Sequence, residues 1–195
     1  MNRNCSESKK DQIIDVAAKL FFCQGYNATG IKQIIDEAGI AKGTFYCHFK
    51  SKEELGLAWL KRRHNDWSRW RQEEIARPGT TPKEQLLALF TSLEEWMRKS
   101  DFRGCPFINT LTETPDADSP MRAEIKNHKQ GMVDFILQRV EQIFPEKDPE
   151  EQLHLSRIVF LLFEAAMIES QNFREFWPID TARKQVAQAI GATLH

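Results

Sequence analysis

A three-residue turn between two short segments of helical periodicity is the feature that most constrains this fold. Gly39-Ile40-Ala41 separates residues 31–38 from residues 42–49, and both segments carry apolar side chains at helical spacing. A glycine-containing turn between two short helices is the sequence form of a helix-turn-helix. Ile34 and Phe45 are expected to pack the two helices at a fixed angle.

The remainder of the chain also has helical periodicity, with helix-start and helix-stop signals between the segments. Ser51-Lys52-Glu53-Glu54 is a capping box that opens a helix to about Ala76, and Thr81-Pro82-Lys83-Glu84 opens the next helix after a break at Arg77-Pro78-Gly79-Thr80. Strand-like alternation is absent from the sequence. It therefore predicts an all-α fold of about nine helices, with an N-terminal three-helix domain in residues 1–55 and a helical body in residues 56–195.

Composition favours a cytoplasmic protein with no membrane partner. The 195 residues are 41% hydrophobic, and the most apolar run, Ile158–Ile168, contains Glu164 and is too short to cross a bilayer. The polar opening of the chain lacks the pattern of a signal peptide. Four cysteines without a CxxC pair are typical of reduced thiols rather than of a disulfide framework or a zinc site.

Charge is unevenly distributed along the chain. Residues 1–63 hold 11 Lys and Arg against 7 Asp and Glu, a net of +4, whereas the rest holds 16 against 21, a net of −5. A basic N-terminal segment and an acidic remainder indicate that the N-terminal segment contacts a polyanion. Chance variation between segments would also give a charge difference of this size.

The helix-turn-helix segment resembles the DNA-binding domain of the TetR family of transcriptional regulators. The matching residues are Gly25, Tyr26, Thr29, Ile31, Ile34, Ala38, Gly39, Ile40, Lys42, Gly43, Thr44, Phe45, Tyr46, His48, Phe49, Lys52, Glu53 and Leu55. Two positions depart from the family pattern. Gly30 stands where Ser or Thr is common, and Cys47 stands at a variable position that often faces the groove. The resemblance implies a repressor that binds a palindromic operator in double-stranded DNA as a homodimer and is released by an effector.

The resemblance assigns roles within this segment. Phosphate contacts are expected from Thr29, Thr44, Tyr46, His48 and Lys52. Base contacts are expected from Lys42, Gly43 and Thr44, with Lys32 and Gln33 nearby. Glycine is a poor helix former, so Gly43 at the start of a helix is consistent with close approach of the backbone to DNA, or with a helix that begins later. Each of the other residues has an ordinary structural alternative, such as Tyr46 as a core aromatic.

The C-terminal body is expected to supply the dimer interface and the effector site. Leu153–Met167 is apolar nearly all round, which favours burial on two sides, by its own body and by a partner, or else a central helix of a monomer. In the TetR family the last two helices form the dimer interface. The predicted effector pocket is lined by Trp67, Trp70, Phe90, Trp96, Cys105, Phe107, Met132 and Phe135, although aromatic and Met residues at this spacing are also typical of a plain core.

Cys105 carries a separate hypothesis. Arg103-Gly104-Cys105-Pro106-Phe107 resembles a Gly-Cys element at the start of a sensor helix in one branch of the family, a branch that includes repressors responding to electrophiles. A cysteine at a helix N-terminus beside Arg103 is expected to have more thiolate character, so one hypothesis is that the effector reacts with the Cys105 thiol. The other hypothesis is a small buried hydrophobic residue.

The sequence disfavours two other function classes, a helical enzyme and a structural adaptor. A helical enzyme is disfavoured because no HExxH, GxSxG, P-loop or dinucleotide motif occurs, and Glu151-Gln152-Leu153-His154 is the only Glu-x-x-His pair, half of what a di-iron site needs. We therefore expect no catalytic residues, no metal and no cofactor. A structural adaptor that has lost DNA binding is disfavoured by the basic N-terminal segment and the intact Thr44, Tyr46 and Lys52.

Overall fold

The computed structural model describes residues 7–193, and these form nine α-helices without a strand among them. The helices are α1 Glu7–Gln24, α2 Ile31–Glu37, α3 Lys42–His48, α4 Lys52–Trp70, α5 Pro82–Lys99, α6 Pro106–Glu113, α7 Pro120–Ile143, α8 Pro149–Phe173 and α9 Trp177–Ala189. The predicted all-α class is therefore confirmed. No helix within residues 7–193 combines the length and apolar character that a membrane span requires.

The chain divides into two compact units. The first contains the described residues up to Asp66 together with Pro106–Lys126, and the second contains Trp67–Cys105 together with the described residues from Asn127 onward. The first unit therefore includes α6, which comes long after the helix-turn-helix in the chain. The predicted boundary after residue 55 separates a DNA-binding domain from an effector-binding and dimerisation body, and it stays a prediction.

The core of the first unit holds the helix-turn-helix in place. The Phe21 ring of α1 lies 5.1 Å from the Tyr26 ring and 5.3 Å from the Trp59 ring, measured between centroids. Phe45 of α3 is completely buried. Gly39 ends α2 with a φ of +59°, a conformation that glycine adopts without a steric penalty. The turn therefore has the residue that its backbone requires.

The second unit is built on helices with strong N-terminal caps. The Thr81 hydroxyl accepts from the Glu84 amide, and the Glu84 carboxylate accepts from the Thr81 amide, which completes the predicted capping box of α5. The Asp148 carboxylate caps α8 in the same way by accepting from two backbone amides. α8 packs against α9 and α5, and the Phe90 and Phe163 rings meet edge to face with their centroids 5.7 Å apart.

The C-terminal end of α4 differs from the expected regular helix. The α-helix ends at Trp70 and continues as a π-helical turn over Arg71–Ile75, in which the Ala76 amide donates to the Arg71 carbonyl at 2.9 Å. The Thr80 hydroxyl donates to the Ile75 carbonyl, which satisfies one acceptor at the end of this turn. Single π-helical turns of this kind are common at functional sites.

Candidate DNA-binding surface and effector region

The start of α3 presents a polar surface over an apolar anchor. Lys42 and Gly43 are exposed and Thr44 and His48 are half-buried, whereas Phe45 between them is buried. Tyr46 packs edge-on against Phe45, with ring centroids 5.2 Å apart, and remains 45% exposed. The exposure of Tyr46 disfavours the alternative that it is a core aromatic. The structure therefore brings five of the predicted contact residues onto one short helix.

Gly43 is not required by the fold of the protein. A methyl group added at its Cα would meet no atom within 4 Å, and its backbone lies outside the left-handed region. Alanine would therefore fit in the free protein and would favour the helix. A small residue at this position is consistent with a surface that must approach another molecule closely.

On α2, the side chains of the predicted contact residues Lys32 and Gln33 differ in their exposure and in their hydrogen bonds within the protein. Lys32 is exposed. The Gln33 side chain accepts from the Gln24 amide at 2.7 Å and donates to the Glu37 carboxylate at 2.9 Å. Gln33 must exchange these bonds before it can contact a base.

Thr29 and Lys52 are engaged inside the first unit. Thr29 is completely buried and its hydroxyl donates to the Gly25 carbonyl at 2.7 Å. The Lys52 ammonium donates to the carbonyls of Tyr26 at 3.1 Å and of Thr29 at 3.3 Å, and lies 4.4 Å from the centroid of the Tyr26 ring. Burial lowers the pKa of Lys52 from its ordinary 10.5, and the Glu113 carboxylate partly opposes this shift. The phosphate contacts assigned to these two residues stay predictions, and the structure gives both an evident role in holding the loop before α2.

Sequence reasoning missed Glu113, at the end of α6. Its carboxylate accepts from the backbone amide of Asn27 at 2.5 Å, and its carbonyl accepts from the Asn27 side chain at 3.0 Å. No local pattern could have indicated this pairing, because the two residues are 86 positions apart.

The two departures from the family pattern have different outcomes. Gly30 is the extended N-cap residue of α2, and it gives that helix no side-chain cap. Cys47 on α3 is disulfide-bonded, so the prediction that the thiols are all reduced is wrong for this residue. Cys23 and Cys105 are free thiols. Cys5 lies outside the described residues.

The residues of the predicted effector pocket are divided between the two units, and the pocket stays a prediction. Phe107 belongs to the first unit and the other seven to the second. Phe90, Cys105 and Met132 are buried, and the Trp96 indole donates to the Gly104 carbonyl at 3.0 Å. Trp67 is half-buried and Trp70 is exposed.

A cavity of about 300 Å³ in the second unit is lined by Phe135, but its other lining residues are mostly polar. They are Arg71, Gln72, Ala76, Gly131, Asp134, Gln138 and Arg139.

Cys105 lies beside a nearly buried ion pair of the second unit. The Lys129 ammonium is 2.7 Å from the Glu164 carboxylate and 3.6 Å from the Cys105 sulfur. Burial alone would lower the pKa of Lys129, but the charges of Cys105 and Glu164 and their hydrogen bonds outweigh burial and raise it.

The outer face of α8 carries an apolar stripe. Ile158, Leu161, Ala165 and Ile168 follow at helical spacing and are all exposed, Leu161 to 63%. Phe173 and Trp177 extend the exposed apolar surface to the start of α9, where their rings pack 5.2 Å apart. Contiguous exposed apolar residues of this kind are typical of protein interfaces.

Two family models match the chain. One, described as bacterial regulatory proteins of the tetR family, matches residues 13–58. The other, described as the C-terminal domain of tetracyclin repressor-like proteins, matches residues 82–186, which is more than half of the chain. Both the helix-turn-helix unit and the helical body are thus covered.

Curated relatives and solved structures agree with these matches. The transcriptional repressor NemR of Escherichia coli strain K12 is 21% identical over 194 residues, 97% of this chain and 98% of NemR. The regulator QacR of Staphylococcus aureus is 42% identical over 67 residues, 34% of this chain and 36% of QacR. The crystal structure of reduced E. coli NemR has a TM-score of 0.81 at 20% identity, covering 93% of this chain and 96% of that one. A regulator from Streptomyces coelicolor has a TM-score of 0.84 at 22% identity, covering 95% and 89%. These structural likenesses establish the fold.

Proposed function

This chain belongs to the TetR family of bacterial regulatory proteins and is a DNA-binding transcriptional regulator, and we propose that it represses transcription from a palindromic operator until an effector releases it. The observation that carries the proposal is the exposed polar start of α3 above the buried Phe45. In a helix-turn-helix, the N-terminal residues of the second helix contact base edges in the major groove.

The proposed contacts follow from exposure. Lys42, Gly43 and Thr44 contact bases, Tyr46 and His48 contact phosphates, and Lys32 and Gln33 of α2 add contacts at the edge of the site. Thr29 and Lys52 contribute by fixing the loop before α2, because their side chains are already bonded within the protein. A small positively charged surface of this kind binds through phosphate neutralisation as well as base contacts.

The proposed assembly is a homodimer that pairs through α8 and α9. Its support is the apolar stripe Ile158, Leu161, Ala165 and Ile168, which is exposed in a single chain. A two-fold dimer presents two copies of α3 to two half-sites, which makes the operator palindromic.

The proposed effector site lies in the second unit, and a thiol-reactive effector is a second form of the same proposal. The contact of the Lys129 ammonium with the Cys105 sulfur at 3.6 Å favours it, because a cysteine that only fills an apolar core would have no such polar partner. The similar E. coli NemR structure is described as a reduced form, which names a redox state for that repressor. Release would follow from a change in the spacing of the two copies of α3.

The test is selection of bound fragments from a pool of bacterial genomic DNA, repeated with Lys42→Ala and Tyr46→Ala. The matched control is Lys99→Ala, which removes an exposed cation from α5. We expect the parent and the control to recover one short palindrome, and the two α3 variants to lose at least about 10-fold in affinity. Because Lys42→Ala removes one cation per half-site, it should also lower the salt slope of binding by about 1 for each cation removed, whereas the uncharged change Tyr46→Ala should leave the slope unchanged. Equal recovery of random and genomic fragments by the parent at low salt would refute the proposal.

A further inference from the structure

Two arginines face the cavity of the second unit, and neither forms a salt bridge with the Asp134 carboxylate that also lines it. Arg71 lies in the π-helical turn and Arg139 lies on α7, and both contribute to the wall of this space of about 300 Å³. Neither guanidinium forms an ion pair with an acid in the part of the chain that the structure describes. Both arginines are half-buried, so each guanidinium has lost part of its contact with water without gaining a salt bridge.

The hydrogen bonds of both arginines go to neutral oxygens. Arg71 donates through Nη1 to the Gly131 carbonyl at 2.9 Å. Arg139 donates through Nε to the Gln85 side chain and through Nη1 to the Gln138 side chain, both at 2.9 Å, and through Nη1 to the Phe135 carbonyl at 3.5 Å. A guanidinium has five N–H donors, so most of those on Arg71 have no protein acceptor within residues 7–193.

Both cations are held against the same aromatic ring. The guanidinium carbon lies 4.5 Å from the Phe135 centroid for Arg71 and 3.7 Å for Arg139, and Arg71 also lies 4.5 Å from the Trp67 centroid. Stacking on the ring fixes the planes of the two guanidinium groups and restricts the rotamers of the Arg71 and Arg139 side chains. The donors are therefore already ordered before any ligand arrives, which reduces the entropy lost on binding.

The electrostatics of the cavity favour an incoming negative charge. Burial and the charge of Arg139 lower the pKa of Arg71 to about 10, despite the opposing charge of Asp134. Burial also lowers the pKa of Arg139. Both groups stay protonated at neutral pH, so two like charges share a partly desolvated space. The nearby Asp134 carboxylate instead accepts from the Gln130 side chain at 2.8 Å.

We propose that this cavity binds a small organic carboxylate, held by the Nε–Nη2 fork of Arg71 and by the Nη2 group of Arg139, beside the ring of Phe135. The planar fork of arginine matches the two oxygens of a carboxylate. The volume accommodates a compact molecule, since about 300 Å³ is the lower end of the range for ligand pockets. That the bound carboxylate is also the effector rests on the proposed function, whereas the binding itself does not.

Binding is tested without DNA, by titration calorimetry on the whole protein. The probes are benzoate and succinate, with benzamide as the neutral counterpart of benzoate and inorganic phosphate as a second anion. We expect at least one carboxylate to bind with a Kd of about 1 mM or tighter, and benzamide to bind at least about 10-fold more weakly. Arg71→Gln and Arg139→Gln should each weaken carboxylate binding at least about 10-fold, whereas Arg98→Gln, at an exposed arginine of α5, should leave it unchanged.

Thermal unfolding of the variants distinguishes a loss of carboxylate binding from a loss of folding. Because each substitution removes one of two like charges, we expect Arg71→Gln and Arg139→Gln to unfold cooperatively at temperatures near that of the parent. A third variant, Arg139→Lys, keeps the charge and removes the planar guanidinium with its Nη2 donors, and should recover only part of the affinity. The proposal is overturned if no carboxylate binds the parent, if phosphate binds and no carboxylate does, or if folded glutamine variants bind as tightly as the parent. Operator release by the bound carboxylate is then measured separately, so its failure would leave the binding result standing.

Discussion

The backbone amide of Asn27 donates to the Glu113 carboxylate at 2.5 Å and the Asn27 side chain donates to the Glu113 carbonyl at 3.0 Å. This double contact joins the C-terminal end of α6 to the loop that leads into α2. Lys52 supports the same loop from α4 by bonding to its carbonyls. The loop before the helix-turn-helix is therefore held by residues from two other helices of the first unit.

Replacing Glu113 by Ala should lower the free energy of unfolding by about 1–2 kcal/mol, because a charge-assisted hydrogen bond to a backbone amide is lost. The measurement is urea unfolding followed by circular dichroism. Asp118→Ala removes an exposed carboxylate from the same unit and should change the free energy by less than about 0.5 kcal/mol. Equal effects of the two variants would show that the Asn27 contact contributes nothing measurable.

Gly43→Ala should separate stability from DNA binding. The free protein has room for the methyl group, so the variant should be as stable as the parent or up to about 1 kcal/mol more stable. Operator affinity should fall at least about 10-fold if the α3 backbone lies against DNA. Fluorescence anisotropy with the selected operator measures this. Asn65→Ala on the exposed face of α4 is the control for helix propensity and should leave affinity unchanged. Unaltered affinity in Gly43→Ala would contradict close backbone approach.

Leu161→Asp should convert the proposed dimer to a monomer, because it places a charge in the centre of the apolar stripe of α8. We expect the dimer dissociation constant to rise at least about 30-fold, as for the loss of a central interface residue. Sedimentation velocity over a range of concentrations measures it. Lys126→Asp, at an exposed position of α7, should leave the parent assembly intact. A Leu161→Asp protein that sediments like the parent would place the interface elsewhere.

The capping box of α5 predicts a specific acid sensitivity. Hydrogen bonds from Thr81 hold the pKa of Glu84 below its ordinary 4.5. A carboxylate with a lowered folded-state pKa stabilises the protein above its unfolded-state pKa, and this stabilisation is lost as the pH falls through the folded value. Thermal unfolding from neutral pH to below 4.5 should therefore show a smaller loss of Tm in Glu84→Gln than in the parent. Glu95→Gln, at another exposed carboxylate of α5, should follow the parent curve. Identical slopes for all three proteins would exclude the effect.

Cys105→Ser should protect the operator complex from a thiol-reactive reagent. Lys129 lies 3.6 Å from the Cys105 sulfur, so alkylation of this sulfur by N-ethylmaleimide should disturb the Lys129–Glu164 pair, and release of DNA from the parent should follow. We expect the rate of release to fall at least about 10-fold in Cys105→Ser and to stay unchanged in Cys23→Ser, which removes the exposed free thiol. Mass spectrometry identifies the modified residue. Release of Cys105→Ser at the parent rate would exclude Cys105 as the sensor.

The local signals in the sequence were reliable guides to the helices. The Gly39 turn and the Thr81 capping box each lie where the pattern predicts them, because both depend on residues within one turn of the chain. The prediction for α4 was less accurate, since the pattern does not distinguish an α-helix from the π-helical turn over Arg71–Ile75.

The sequence by itself determined the all-α class, the helix-turn-helix and the polar residues at the start of α3, because helical periodicity, caps and turn glycines act over a few neighbouring residues. The tertiary structure decided which side chains meet. It alone brought Glu113 to Asn27, Lys129 to Cys105, and Arg139 to the ring and cavity that it shares with Arg71. Burial also turned Thr29 and Lys52 inward, although their residue types suit phosphate contacts. These outcomes depend on packing between residues far apart in the chain, and no local pattern encodes such distances.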